Sequence, residues 1–428
     1  MTSEAHIYIQ LPGTLQTVPA ALLRVTQNDD GSYVGRFRYG NRYLERPDAV
    51  ELDPFRLPLG KDTYEFTKLK GIPGAIRDAS PDAWGRRVIE YKLQRTSADL
   101  EEIDYLIHGP QDGAGNLSFG HHREPPSPRR PYNRTHQLAE LIAAAEAIED
   151  GRRVPEYLLE KLEPGTSMGG ARPKTTLEHE GKLWLAKFPE RADRFNLQRV
   201  EFAALDLARR CGLNICQAQL HPIAGRDVLM LQRFDRQAVE GGYLRLGFVS
   251  ALTVIDAEDN YFSRDRWSYP LLADELRRWS SRPEQDCVEL YRRMVFNAAV
   301  TNNDDHPRNH ALLRYPDGWR LSPAYDIVPV PMVSMERRDS ALTVGSYGRA
   351  ASVYNLVSQC GRFGLSQEEA RSEIKRIADV VGTWRERFSA CGVSAADIEY
   401  LAPAMLPQSF LREEPPEPLG LGLTSPPS

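Results

Sequence analysis

Thr301-Asn302-Asn303-Asp304-Asp305-His306-Pro307-Arg308-Asn309-His310 gathers acid, amide and imidazole groups into one short stretch, directly after an apolar helical run over 284–300. Four residues separate Asp304 from Asn309. Such a loop can hold a carboxylate that takes a proton and an amide oxygen that meets a cation. A polar turn whose Asn and Asp cap helices accounts for this stretch equally well when it stands alone. Segments elsewhere in the chain have to decide.

Upstream, Gly165-Thr166-Ser167-Met168-Gly169-Gly170-Ala171-Arg172-Pro173-Lys174 is a small-residue loop whose amides could approach phosphate oxygens closely. It is not a Walker loop, because Pro173 stands where that motif wants glycine and a strand, not a helix, follows. A flexible turn is the alternative. In Leu183-Trp184-Leu185-Ala186-Lys187-Phe188-Pro189, Lys187 sits on a strand with apolar neighbours, where an ammonium is costly without an anion. A snorkelling surface lysine competes with that reading. The next helix carries Leu197, Val200, Ala204, Leu207 and Ala208 at helical spacing, and Glu201 falls beside that stripe, within reach of Lys187. An ordinary helix-edge glutamate is the default. Downstream, Asp326 stands among apolar residues in Ser322-Pro323-Ala324-Tyr325-Asp326-Ile327-Val328; if buried it needs a cation, and if not it caps a turn after Pro323. Each segment is ambiguous by itself. Their order is glycine loop, strand Lys, helix Glu, loop Asp and Asn, then a lone Asp. The spacing Asp304-x-x-x-x-Asn309 also matches a kinase catalytic loop, and the sequence as a whole favours a kinase over coincidence.

The rest of the chain sets bounds. Its 428 residues allow two or three domains with large cores. With 54 Lys+Arg against 59 Asp+Glu, the net charge of -5 argues against a surface built throughout for nucleic acid or anionic membrane. No apolar run reaches membrane-spanning length, and the opening MTSEAHIYIQLPG lacks the features of a secretory leader, so a soluble, cytoplasmic protein is expected. Five scattered cysteines without a C-x-x-C pair read as reduced structural thiols. Residues 6 to about 50 read as strands broken by the turn Asn28-Asp29-Asp30-Gly31. Helices are predicted over 135–162, 197–211, 284–300 and 366–389, and strands over 181–188 and 227–234. Capping boxes are expected at Ser281/Glu284 and Ser366/Glu369. Residues 121–134, with four prolines, read as an extended connector in which His121 and His122 are solvated linker histidines. The stretch from Pro407 onward holds six prolines and no periodicity, which predicts a disordered tail over 406–428.

The segments 167–174, 185–189, Gln232-Arg233-Phe234-Asp235-Arg236, 304–309 and 322–326 closely resemble the HipA family, the toxin kinases of bacterial HipBA toxin–antitoxin systems. Ile72-Pro73-Gly74-Ala75 and Asp78-Ala79-Ser80-Pro81-Asp82-Ala83-Trp84-Gly85 resemble the family's N-terminal subdomain, so the likeness covers about residues 6 to 405. The resemblance implies an α+β, two-lobed protein-kinase-like fold with a small β-rich N-terminal subdomain (1–120), a linker (121–134), a kinase N-lobe (135–235) and a mostly helical C-lobe (236–405). It implies an ATP-dependent Ser/Thr protein kinase with Asp304 as catalytic base, Asn309 and Asp326 as Mg2+ ligands, and Lys187, supported by Glu201, pairing the ATP phosphates. ATP contacts would come from Gly169, Gly170, Ala171, Arg172, Pro173, Lys174, His306 and Tyr325, and from Gln232, Arg233 and Phe234 as the adenine hinge; the family often has Glu where Gln232 stands. Ser167 resembles the family's autophosphorylated serine, whose added negative charge would oppose ATP phosphates and act as an off-switch.

Family members bind a HipB helix-turn-helix antitoxin, and through it operator DNA. The best-known members phosphorylate glutamyl-tRNA synthetase, slowing translation and promoting dormancy and antibiotic tolerance, so an aminoacyl-tRNA synthetase is one implied substrate and no membrane partner is. A catalytically silent, antitoxin-bound co-repressor and a small-molecule kinase are the competing readings. Repression alone needs none of the chemistry of Lys187, Asp304, Asn309 and Asp326.

Overall fold

Apolar side chains at every second position bury one face of the first strands, with Ala5, Ile7 and Ile9 in a single cluster with Leu23, Val25 and Phe37. The computed structural model describes residues 2–126, 132–162, 170–331 and 339–415. Strands β1 (Thr2–Gln10), β2 (Thr17–Gln27), β3 (Tyr33–Tyr39), β4 (Tyr64–Phe66) and β5 (Leu117–Gly120) form a sheet in the order β4-β3-β2-β1-β5. All its pairings are antiparallel. The predicted turn joins β2 to β3: Gly31 takes φ 81°, and the Asn28 N–H donates to the Ser32 carbonyl at 2.9 Å.

The second sheet runs β6-β7-β8-β10-β9, from β6 (Asn133–Arg134), β7 (Lys174–His179), β8 (Lys182–Lys187), β9 (Ala218–Ile223) and β10 (Arg226–Gln232). Both its faces are covered, which is why β10 reads as a continuous apolar run. Val228 and Met230 face helices α1 (Ala83–Leu93) and α2 (Leu138–Glu149), in a cluster with Trp84, Leu138 and Leu141. Leu229 and Leu231 face the other way, toward Val200, Ala204 and Leu207 of α3 (Leu197–Arg210). Trp84 and Val88 therefore belong to the core of the second sheet although they precede the Pro-rich stretch in sequence. Residues 127–131 of that stretch lie outside the described residues, and its end is a strand: buried Asn133 donates from Nδ2 to the Lys161 carbonyl at 2.7 Å.

A hairpin of β11 (Arg236–Val239) and β12 (Gly242–Arg245) leads into a small sheet of β13 (Gly247–Ser250), β14 (Ala311–Tyr315) and β15 (Gly318–Leu321). Helices α4 (Tyr269–Trp279), α5 (Pro283–Ala299) and α6 (Gln367–Val381) build the helical lobe. Leu290, Met294, Val295 and Phe296 of α5 lie at its centre. Among the described residues no helix is long and apolar enough to cross a membrane, and all five cysteines are free thiols, four of them buried.

Four expectations change. The helix predicted over 135–162 is broken: α2 ends at Glu149, Gly151 takes φ 66°, and a short helix resumes at Glu156–Lys161 after Pro155. Likewise 366–389 divides after Val381, and a second helix starts at Trp384. The Ser366/Glu369 capping box forms, with reciprocal hydrogen bonds of 3.2 and 2.8 Å, but the one at Ser281/Glu284 does not. Pro283 fixes the first turn of α5, and the Ser281 hydroxyl donates to the Trp319 carbonyl instead. The chain also stays packed past Pro407. Phe410 is fully buried, its carbonyl accepts from Val353 N–H at 2.9 Å, and Arg412 accepts from Tyr354 N–H at 3.1 Å; residues 416–428 lie outside the described residues.

One buried acid predicts a pH dependence. Asp53 is fully buried; Oδ1 accepts from the Phe55 and Arg56 amides, while Oδ2 has no hydrogen-bond partner among the described residues. Burial pushes its pKa up to about 7, against the two amide hydrogen bonds. A folded-state pKa above the unfolded value means stability that is present at pH 4 and lost as pH rises toward 7. Asp53→Asn keeps the Oδ1 contacts without the charge. Its thermal midpoint is expected to exceed that of the parent at pH 8, by at most about 4 kcal/mol in stability, and to match it at pH 4.

Candidate active site

The lysine at the end of β8 organises the cleft between the sheet and the helical lobe. Lys187 is 6 % exposed, and its Nζ lies 2.7 Å from Glu201 Oε1 on α3 and 2.6 Å from Asp326 Oδ1. Burial alone would lower its pKa; the Asp326 and Glu201 charges outweigh that and hold it above the ordinary lysine value. Burial pushes Asp326 the other way, but the Lys187 ammonium keeps it below the usual carboxylate range. Burial raises Glu201. Two carboxylates thus share one ammonium.

Asp326 takes φ 59°, a left-handed conformation that costs a residue with a side chain roughly 1–3 kcal/mol. Its neighbour Tyr325 is buried and donates from Oη to the Arg308 carbonyl at 2.6 Å, tying this segment to the 304–309 loop. In that loop the Asp304 carbonyl accepts from His306 N–H at 2.8 Å and from Asn309 Nδ2 at 3.4 Å, while Asp304 as a residue is exposed. Partial burial raises the Asp304 pKa, with the Asp326 charge adding to the rise and His306 opposing it. Asp304 and Asp326 therefore stand within electrostatic reach of each other. Asn309 is buried, and its Oδ1 finds no hydrogen-bond partner among the described residues. A buried hard oxygen left in this state, on the loop that Tyr325 ties to the Asp326 segment, is the kind of donor that would suit a hard divalent cation such as magnesium.

Leu185, Cys216, Leu231, Gln232, Phe234 and Tyr325 line a narrow apolar slot beside Lys187, with the Phe234 and Tyr325 rings 5.4 Å apart. The slot opens beside the Lys187 ammonium, and its lining is mostly apolar. Among the glycine-loop residues, Ser167 and Gly169 lie outside the described residues. Gly170 and Ala171 are exposed, Arg172 pairs with Asp193 at 2.7 Å, and the buried Pro173 accepts through its carbonyl from Phe188 N–H.

Two of the expected ATP contacts have side chains committed elsewhere. The Lys174 ammonium is buried against Asp82 at 2.5 Å, and the Arg233 guanidinium is fully buried between Asp112 at 2.7 Å and Asp235 at 2.9 Å. The sequence reading missed these acids and also Tyr269 and His310, which flank Asp305. Asp82 carried a signal as a helix N-cap, a role it fills toward Gly85 N–H, and Asp235 lies within a noted segment; Asp112 carried none.

A β-rich lobe and a helical lobe that meet at a lysine-glutamate pair and a loop of acid and amide define a two-lobed, protein-kinase-like α+β fold. A family model described as the HipA-like C-terminal domain matches residues 166–384, just over half of the chain, and the protein belongs to the HipA family. The Ser/Thr-protein kinase toxin HipA of Shewanella oneidensis is 24% identical over 243 residues, 50% of this chain and 55% of that one. A protein of Sinorhizobium fredii, provisionally named kinase Y4mE, is 28% identical over 148 residues, 34% of each chain. The chain spans between about a third and about half the length of the curated relatives it matches. A chain of the solved Shewanella oneidensis MR-1 complex of HipA, HipB and operator DNA superimposes with a TM-score of 0.66 at 17% identity, covering 93% of this chain and 94% of that one; the fold is shared.

Proposed function

We propose that this protein is a Ser/Thr protein kinase of the HipA toxin type, transferring the γ-phosphate of ATP to a protein hydroxyl. The observation that carries the reading is the Lys187 ammonium held between Glu201 and Asp326. Kinases place such a lysine where it meets nucleotide phosphates and is steadied by a helix glutamate. In this reading Asp304 accepts the proton of the attacking hydroxyl, Lys187 pairs with phosphate oxygens, and the slot beside Gln232 and Phe234 takes the adenine. Asn309 Oδ1 and the Asp326 carboxylate would hold magnesium, which supplies charge neutralisation at the transferred phosphoryl group. Phosphorylation of Ser167, within the glycine loop, would oppose ATP phosphates and switch the enzyme off.

The partners follow from the same reading: a HipB-like helix-turn-helix antitoxin, operator DNA contacted mainly through it, and a protein substrate such as an aminoacyl-tRNA synthetase, glutamyl-tRNA synthetase being one candidate, whose modification would inhibit translation. The test is to incubate the purified chain with labelled ATP and Mg2+, with and without cell lysate. Labelled protein that disappears in Asp304→Asn is the expected result. Labelling of metabolites alone would make it a small-molecule kinase, and no labelling at all would leave a silent co-repressor.

A further inference from the structure

Asp305 plays no part in the proposed chemistry, yet it is among the most firmly held carboxylates in the helical lobe. It is 3 % exposed, and its Oδ2 accepts from the Tyr269 hydroxyl and from His310 Nε2, the latter at 2.9 Å. Tyr269 opens α4 and His310 immediately precedes β14, so the carboxylate joins two elements to the middle of the loop. The Tyr269 hydroxyl also accepts from Asn297 Nδ2 at 3.3 Å near the end of α5, and Asn302 Nδ2 at the loop entry donates to Asn297 Oδ1 at 3.2 Å. All five residues are buried. The Tyr269 N–H donates to the Thr343 carbonyl at 3.0 Å, and Thr343 N–H donates to the Trp267 carbonyl at 2.7 Å. The chain downstream of Asp326 is thereby anchored at the same point.

This network grips the loop at its entry, at Asp305 and at its exit, whereas the neighbouring Asp304 is exposed. We propose that Asp305, clamped by Tyr269 and His310, is a positioning residue: it fixes the loop main chain so that Asp304 and Asn309 stay aimed at the reacting groups. The inference rests on the kinase reading and adds a residue set to it. A side chain misplaced by about 1 Å costs on the order of 100-fold in rate without removing any binding contact, so the signature is a fall in kcat at constant KM.

Asp305→Asn and Tyr269→Phe are compared in steady-state phosphorylation with the parent and with Asp304→Asn, alongside thermal midpoints and the proton NMR signal of the His310 Nε2–H. The expected result is a kcat lowered by about 10- to 100-fold in Asp305→Asn, and less in Tyr269→Phe, with KM for ATP within about twofold. The downfield His310 signal is expected in the parent and in Asp304→Asn and lost in Asp305→Asn. Should Asp305→Asn fail to fold, Tyr269→Phe, which keeps the ring in place, carries the same test. An Asp305→Asn variant with parental kcat, or a loss of activity that only follows a lowered thermal midpoint, overturns the inference alone. An inactive parent chain overturns the kinase reading and this inference with it.

Discussion

Asp304→Asn is expected to lower phosphoryl transfer by about 100- to 10,000-fold with ATP affinity and thermal midpoint unchanged. The side chain is exposed, and its structural contacts run through the main-chain carbonyl, which asparagine retains. An exchange of this kind at the surface normally moves stability by about 0.5 kcal/mol or less. What asparagine lacks is the capacity to take a proton, so the loss falls on the chemical step. Initial rates at saturating ATP, beside an equilibrium binding measurement, check both halves of the expectation. A variant that keeps more than about a tenth of the parental rate removes Asp304 from the role of base.

The largest expected effect on stability lies away from the cleft. Arg233 and Arg236 meet Asp112 and Asp235 in a cluster of four buried charges, and Arg233 also donates to the Asp112 and Gly113 carbonyls. The cluster locks the loop before β5 to the strand that follows the apolar slot. Removing one partner of a buried ion pair leaves an uncompensated charge, so Arg233→Met is expected to destabilise by about 3–5 kcal/mol. Arg233→Lys should restore only part of this, because an ammonium cannot reproduce the guanidinium fork that reaches both carboxylates. Thermal unfolding of the three proteins measures the effect. A shift in Arg233→Met equivalent to less than about 1 kcal/mol would mean that Arg236 alone satisfies both acids.

What the sequence disclosed depended on whether the signal was local. Strands β8 and β10 were legible because both of their faces are buried, and α3 because its stripe repeats at helical spacing. Glu201 beside that stripe and Lys187 at the strand end could be paired on paper because each sits at a definable place on its element, and the two atoms meet at 2.7 Å. Asp326 was visible as a lone acid among apolar residues. Contacts between remote segments left no such trace. Lys174 finds Asp82 and Arg233 finds Asp112 across 92 and 121 residues of sequence, so both side chains looked available for a ligand. Asp305 stands in the quoted loop with no role legible from its neighbours, and the Tyr269 that holds it lies 36 residues away. The errors of element placement were local ones with local causes. Pro283 displaced a capping box, Gly151 and Pro155 broke a helix, and a single buried aromatic, Phe410, outweighed the proline-rich composition around it.

The proposed phosphoryl transfer requires a nucleotide triphosphate and a divalent ion to meet at Lys187, Asn309 and Asp326. Calorimetric titration of ATP into the intact chain, with Mg2+ and with EDTA, measures this directly, using Asp326→Asn as the comparison and Asp53→Asn as a buried-acid control. The expected result is binding that requires Mg2+, survives in Asp53→Asn and weakens by at least about tenfold in Asp326→Asn, a loss of about 1.4 kcal/mol or more. Absence of ATP binding by the parent chain in Mg2+, or equal affinity in Asp326→Asn, would contradict it.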